Sequence, residues 1–161
     1  MLGCGLRRAE VCELKVKQVS LKNKSAKIIG KGNKERTIYF PQPVLNVLKS
    51  WLELRQLNKD EIDAGFVFGR IDNKQCLHLD VPLDPSSVTR IIEKLVAETE
   101  NLEGRLTPHD LRRTFATRLI SKNVDIVEVQ KLMGHASVAT TGNYVRKDEE
   151  NLRKAAEKAE L

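Results

Sequence analysis

Thr107-Pro108-His109-Asp110-Leu111-Arg112 starts a helix and puts reactive side chains on its first turn. Thr107 is suited to accept as N-cap, Pro108 fits the first helical position, and Asp110 favours the positive end of the helix dipole. This helix is predicted to run to about Ser121. His109 precedes Arg112 by three residues, so both occupy neighbouring parts of one helical face, at a terminus that already attracts anions. Downstream, Asp125 to Met133 reads as a second helix stopped by Gly134, and a short helical piece leads through Thr140-Thr141-Gly142 to Tyr144. Leu152, Ala155, Ala156 and Ala159 then recur at helical spacing, which predicts a C-terminal helix within residues 148–161.

Upstream of this helical half the periodicity changes. Val16 to Val19, Ala26 to Ile29 and Arg36 to Phe40 are short β-prone runs separated by polar turns, and Gly30-Lys31-Gly32-Asn33-Lys34 reads as a hairpin turn. Pro41 and Pro43 open a helix to about Leu57, whose Val44, Leu48, Trp51 and Leu52 form an inward stripe with Trp51 in a packing role. Residues 58–84 read as loop with a brief extended Phe66-Val67-Phe68, followed by a helix from Pro85 to about Glu100. The fold class is therefore α+β: mainly helical, with a small three-stranded antiparallel sheet near the N-terminus.

A chain of 161 residues is long enough for one substantial core, so one domain over 1–161 is expected. The formal charge of +6 is unevenly placed. Residues 1–60 carry thirteen Lys and Arg against five Asp and Glu, and 105–147 carry eight against three. Residues 61–104, with four against nine, form an acidic stretch between them. Such a distribution favours a polyanionic partner. Cys4, Cys12 and Cys76 have neither paired metal-ligand spacing nor the even count of a disulfide framework, which fits a reducing cytosol and implies no metal site. No signal peptide or run of eighteen apolar residues is readable, so no membrane partner is expected.

The basic segments hold the chemistry-bearing motifs. Gly5-Leu6-Arg7-Arg8-Ala9-Glu10, Gly30-Lys31-Gly32-Asn33-Lys34-Glu35-Arg36, His109-x-Leu111-Arg112, Gly134-His135 and Tyr144 follow one another in order. Guanidiniums at Arg7 and Arg112 suit a phosphate clamp, because a planar fork donates two parallel hydrogen bonds where an ammonium does not. A phenol is mostly protonated at neutral pH, so attack by Tyr144 needs a base or a cationic setting, and His109 is the available helper. Glu10 reads as structural, positioning the Arg7 segment through a buried hydrogen bond. Taken singly these signals are weak, since a lone His-x-x-Arg usually marks an ordinary surface helix. All six side chains in register carry far more weight.

Together the motifs resemble the signature of the tyrosine recombinases, the phage integrase and Xer-type site-specific recombinases. Lys31 falls 24 residues after Arg7, and Tyr144 nine after His135, as the family spacing has them. The resemblance implies a catalytic set of Arg7, Lys31, His109, Arg112, His135 and Tyr144. In it Tyr144 forms a 3′-phosphotyrosyl link, Lys31 protonates the leaving 5′ oxygen, and His135 hydrogen-bonds the phosphate. It implies double-stranded DNA as partner, no metal, ATP or small-molecule cofactor, and a cytoplasmic, nucleoid-associated protein encoded by a bacterium or phage. Lys34, Arg36, Arg90, Arg105 and Lys122 are candidate backbone contacts on charge alone. In the family a segment after the tyrosine often docks on a neighbouring protomer, which suggests self-association through residues 148–161. The chain is expected to be a catalytic domain without the family's N-terminal core-binding domain and without its own first helix. Two other readings stand beside this one: a truncated, inactive DNA-binding or assembly module, and a type IB topoisomerase-like enzyme.

Overall fold

The structure, a computed structural model, describes residues 1–30, 35–56, 65–100 and 104–134. Its elements follow the order α1 (Arg8–Cys12), a 3₁₀ turn (Val16–Gln18), β1 (Val19–Ser20), β2 (Ser25–Ile29), β3 (Glu35–Tyr39), α2 (Gln42–Gln56), β4 (Gly69–Ile71), β5 (Leu77–Pro82), α3 (Pro85–Ala97), α4 (Pro108–Ser121) and α5 (Ile126–Met133). The expected α+β class is found, with β1, β2 and β3 forming an antiparallel sheet in that order. Ala26 pairs with Ile38, and both turn toward the core while their neighbours Lys27 and Thr37 stay exposed.

The largest core sits between this sheet and α2. Ala26, Ile28 and Ile38 pack with Leu45, Leu48 and Leu52, and Leu6, Leu14 and Val67 close the cluster. Fully burying a side chain such as Ile38 or Leu45 contributes roughly 1.5–3 kcal/mol. Trp51 does pack: its Nε1 donates to the Val67 carbonyl at 2.8 Å and its ring stacks on Phe68. Helix α4 lies between two smaller clusters. Leu111 faces Cys12, Val88 and Ile92, whereas Phe115 and Ala116 face Val129 and Met133.

Two segments differ from the sequence expectation. Val16 to Gln18 is a 3₁₀ turn rather than a strand, because the Gln18 side chain accepts from the Lys15 amide at 2.8 Å and closes the turn locally. Only Val19 and Ser20 then pair with β2. The stretch expected to be loop contains the β4–β5 hairpin. Asp72 Oδ1 accepts from the amides of Lys74 and Cys76 at 2.8 and 2.9 Å, and Gln75 takes a left-handed φ of 64°, which together reverse the chain.

Helix α4 begins where its sequence places it. Thr107 is the N-cap, its hydroxyl accepting from the Asp110 amide, while Asp110 accepts from the Thr107 amide at 2.9 Å. Thr107→Ala is expected to lower stability by about 1 kcal/mol in urea unfolding. An unchanged midpoint would mean that the cap contributes nothing.

Candidate active site

A single buried carboxylate organises the described part of the site. Glu10, 7% exposed, lies in α1, and Arg7 is the N-cap of that helix. Glu10 accepts from the Arg7 amide at 2.7 Å and from Arg7 Nη1 at 2.8 Å, which is the structural role its place in the motif suggested. It also receives both terminal nitrogens of Arg36 from β3, each at 2.7 Å in a bidentate pair. Arg112 Nη1 stands 3.8 Å from the same carboxylate. Burial by itself would push the Glu10 carboxyl up; the Arg36 bonds, with those from the Arg7 amide and guanidinium, outweigh it and hold the group at about 2.

The three guanidiniums share a second set of acceptors. A helix leaves its last carbonyls without intrahelical partners and carries partial negative charge at that end. At the end of α5 the Leu132 carbonyl accepts from Arg36 Nε at 3.2 Å, the Met133 carbonyl from Arg112 Nη2, and the Gly134 carbonyl from Arg7 Nη2 at 2.8 Å. Arg112 Nη1 also donates to the Gly5 carbonyl, which ties α4 to the first motif. Arginines from the α1 cap, β3 and α4 thus converge on the one helix end that precedes His135 in sequence.

Two glycines permit this approach. Gly134 takes φ 61°, and a Cβ there would lie 2.8 Å from Arg36 Cδ and 3.0 Å from its Nε. Gly5, at φ 63°, faces the Phe115 ring, whose Cδ1 a Cβ would meet at 2.6 Å. Gly134→Ala is expected to lose about 1–2 kcal/mol from the left-handed backbone, and more from displacing Arg36. Urea unfolding checks this, and a wild-type midpoint would contradict it.

The structure therefore brings Arg7 and Arg112 together. Their neighbours go elsewhere: Arg8 donates to Thr89 Oγ1 at 3.1 Å on α3, and Arg113 is exposed. His109 is exposed on the first turn of α4. Lys31, His135, Tyr144, Lys34 and the segment 148–161 lie outside the described residues. Of the candidate backbone contacts, Arg90, Arg105 and Lys122 are exposed, with Arg105 3.4 Å from Glu93 and Arg90 beside Ser86 and Ser87. Arg36 is different. Its side chain is 10% exposed and is committed to Glu10 and Leu132, a structural partnership that no spacing in the sequence announces.

Among Arg7, Arg36, Arg112 and Glu10 there are three cations and one anion, a local excess of positive charge in a partly dehydrated place. Arg7 has the most exposed side chain of the four, at 38%. The arrangement is suited to receive an anion at Arg7. Among the described residues no helix is long and apolar enough to cross a membrane.

The sequence matches the phage integrase family over residues 1–151. It is 36% identical over 162 residues to the tyrosine recombinase XerA of Pyrococcus furiosus, covering all of this chain and 52% of that protein. The crystal structure of a XerA recombinase superposes with a TM-score of 0.77 at 31% identity, over 99% of this chain and 56% of that one. The XerH site-specific recombinase bound to its difH substrate superposes at 0.72 with 28% identity, over 96% and 43%. The chain thus spans about half the length of these relatives.

Proposed function

The chain belongs to the phage integrase family of tyrosine recombinases, and from that premise we propose that it breaks and rejoins DNA strands by transesterification. The observation that carries this reading is the pairing of Arg7 with Arg112 on the Glu10 carboxylate and the end of α5, with more positive than negative charge left in place. A phosphodiester develops extra charge on its non-bridging oxygens as a fifth ligand approaches, and prearranged donors stabilise that charge more than the ground state. Arg7 and Arg112 are assigned to those oxygens.

Tyr144 is the assigned nucleophile. Its Oη attacks phosphorus, the bond to the 5′ oxygen breaks, and the protein keeps a 3′-phosphotyrosyl ester while a 5′-hydroxyl departs. The phenolic proton passes to His109 or solvent, and Lys31 delivers a proton to the leaving oxygen. His135 hydrogen-bonds the phosphate. One phosphodiester is exchanged for another, so reversal by a second strand's 5′-hydroxyl requires neither ATP nor, in this scheme, a metal ion.

Duplex DNA is the proposed partner, in keeping with the XerH relative bound to difH. Exposed Arg90, Arg105 and Lys122, together with Lys34, are proposed backbone contacts. Residues 148–161 are proposed to mediate self-association on DNA, and the cytoplasm is the proposed location. The test is incubation with a duplex nicked near the cleavage point, so that the freed strand diffuses away. A covalent protein–DNA adduct that survives denaturant is expected. A band shift without any adduct would favour a binding module, and relaxation of a separately supplied supercoiled plasmid without strand exchange a topoisomerase.

A further inference from the structure

We propose that Arg36 is a positioning residue for strand cleavage, holding Arg7 in register with the end of α5 through Glu10, and not a DNA contact. This rests on the cleavage reading above. Both oxygens of Glu10 are taken by Arg36 at 2.7 Å, and the same oxygens receive the Arg7 amide and Arg7 Nη1. Arg36 Nε reaches the Leu132 carbonyl and Arg7 Nη2 the Gly134 carbonyl, two residues further along the chain. The bonds close a ring: Glu10 to Arg7, Arg7 to the α5 end, the α5 end to Arg36, Arg36 back to Glu10. Each side chain in it limits the freedom of the next.

All three guanidinium nitrogens of Arg36 donate inside the protein, two of them as a bidentate pair on the Glu10 carboxylate at 2.7 Å. Arg7 reaches that carboxylate with one guanidinium nitrogen and Arg112 stands 3.8 Å away, so Arg36 is the guanidinium whose charge Glu10 takes up most directly. Gly134 adds an independent mark. The Arg36 side chain passes where a Cβ of residue 134 would stand, so the two motifs are fitted to each other across 98 residues. Lysine keeps the charge but supplies one compact ammonium, which does not reproduce a two-pronged pair with Glu10 and an edge bond to Leu132.

Arg36→Lys therefore separates the alternatives in the 161-residue chain. Adduct formation on a nicked suicide duplex is followed under single-turnover, saturating conditions, and affinity is measured across a salt series. The expected result is a cleavage rate constant about a hundredfold lower, with affinity and salt slope unchanged. A wild-type rate constant in Arg36→Lys overturns the proposal. So does a loss confined to the reacting fraction with the rate constant intact, which marks a purely structural residue. In Arg36→Gln, weaker binding with a salt slope shallower by about one marks a backbone contact and also overturns it. If the wild-type chain forms no adduct, the cleavage reading itself fails. Arg36 is then judged by the guanidinium nitrogen spectrum of Arg7, whose restricted signals must shift or average in Arg36→Lys; unaltered signals refute the proposal.

Discussion

Tyr144→Phe is expected to abolish adduct formation on a nicked duplex while leaving the band shift in place. The substitution removes one oxygen and no charge, so contacts made to DNA by the basic side chains survive. The covalent route loses its nucleophile, and where residues act as a unit such a loss costs on the order of 10⁴-fold or more. Tyr39 is not placed to rescue it: on β3 it alternates with Arg36 and Ile38, so it projects from the opposite face of the strand, 62% exposed. A denaturant-resistant adduct in Tyr144→Phe would transfer the chemistry to another side chain and remove the central assignment.

Glu10→Gln is expected to be the most damaging change for stability. The amide keeps the shape and loses the charge, leaving the Arg36 and Arg112 guanidiniums buried without their counter-ion. Removing one partner of a buried ion pair costs about 3–5 kcal/mol, because the remaining charge stays desolvated. The effect carries a definite pH dependence. The carboxyl is held at about 2 in the folded chain, below its value of 4.5 in the absence of partners. Its contribution is therefore fully present above the unfolded value and is lost as pH falls toward 2. Urea midpoints of wild type and Glu10→Gln should be furthest apart at neutral pH and converge on acidification. A gap that stays constant between pH 7 and pH 3 would show that the charge is not what stabilises the fold.

How far these features were readable from the sequence depended on how local their causes are. Thr107, Pro108 and Asp110 place the start of α4 within one turn, and the structure begins the helix at Pro108. Gly134 stops α5 because a left-handed residue is needed there, and glycine supplies it at φ 61°. The β2–β3 pairing follows from alternation. By contrast, Val16 to Val19 has the apolar content of a strand, yet one side-chain bond from Gln18 bends most of it into a 3₁₀ turn. The β4–β5 hairpin was missed because its turn is built by the Asp72 carboxylate and a left-handed glutamine rather than by a glycine pair.

The site divides in the same way. The motifs single out Arg7, Arg112 and Glu10, the fold brings these three side chains together, and the structural role of Glu10 was legible for that reason. Arg36 was grouped with surface cations because charge is all that a sequence displays. Its partners are Glu10, 26 residues away, and the Leu132 carbonyl, 96 away, and only the packing of β3 between α1 and the end of α5 makes those contacts. A backbone carbonyl as acceptor leaves no trace in a side-chain motif. That is also why the shared capping of α5 by three arginines could not be anticipated.

The most direct measurement is a structure of the Tyr144→Phe chain bound to a nicked duplex. The account predicts that the non-bridging oxygens of one phosphate hydrogen-bond Arg7 and Arg112, with His109 at the same phosphate and Arg36 still paired to Glu10. A scissile phosphate seated away from both Arg7 and Arg112, or Arg36 swung off Glu10 onto the DNA backbone, would contradict it.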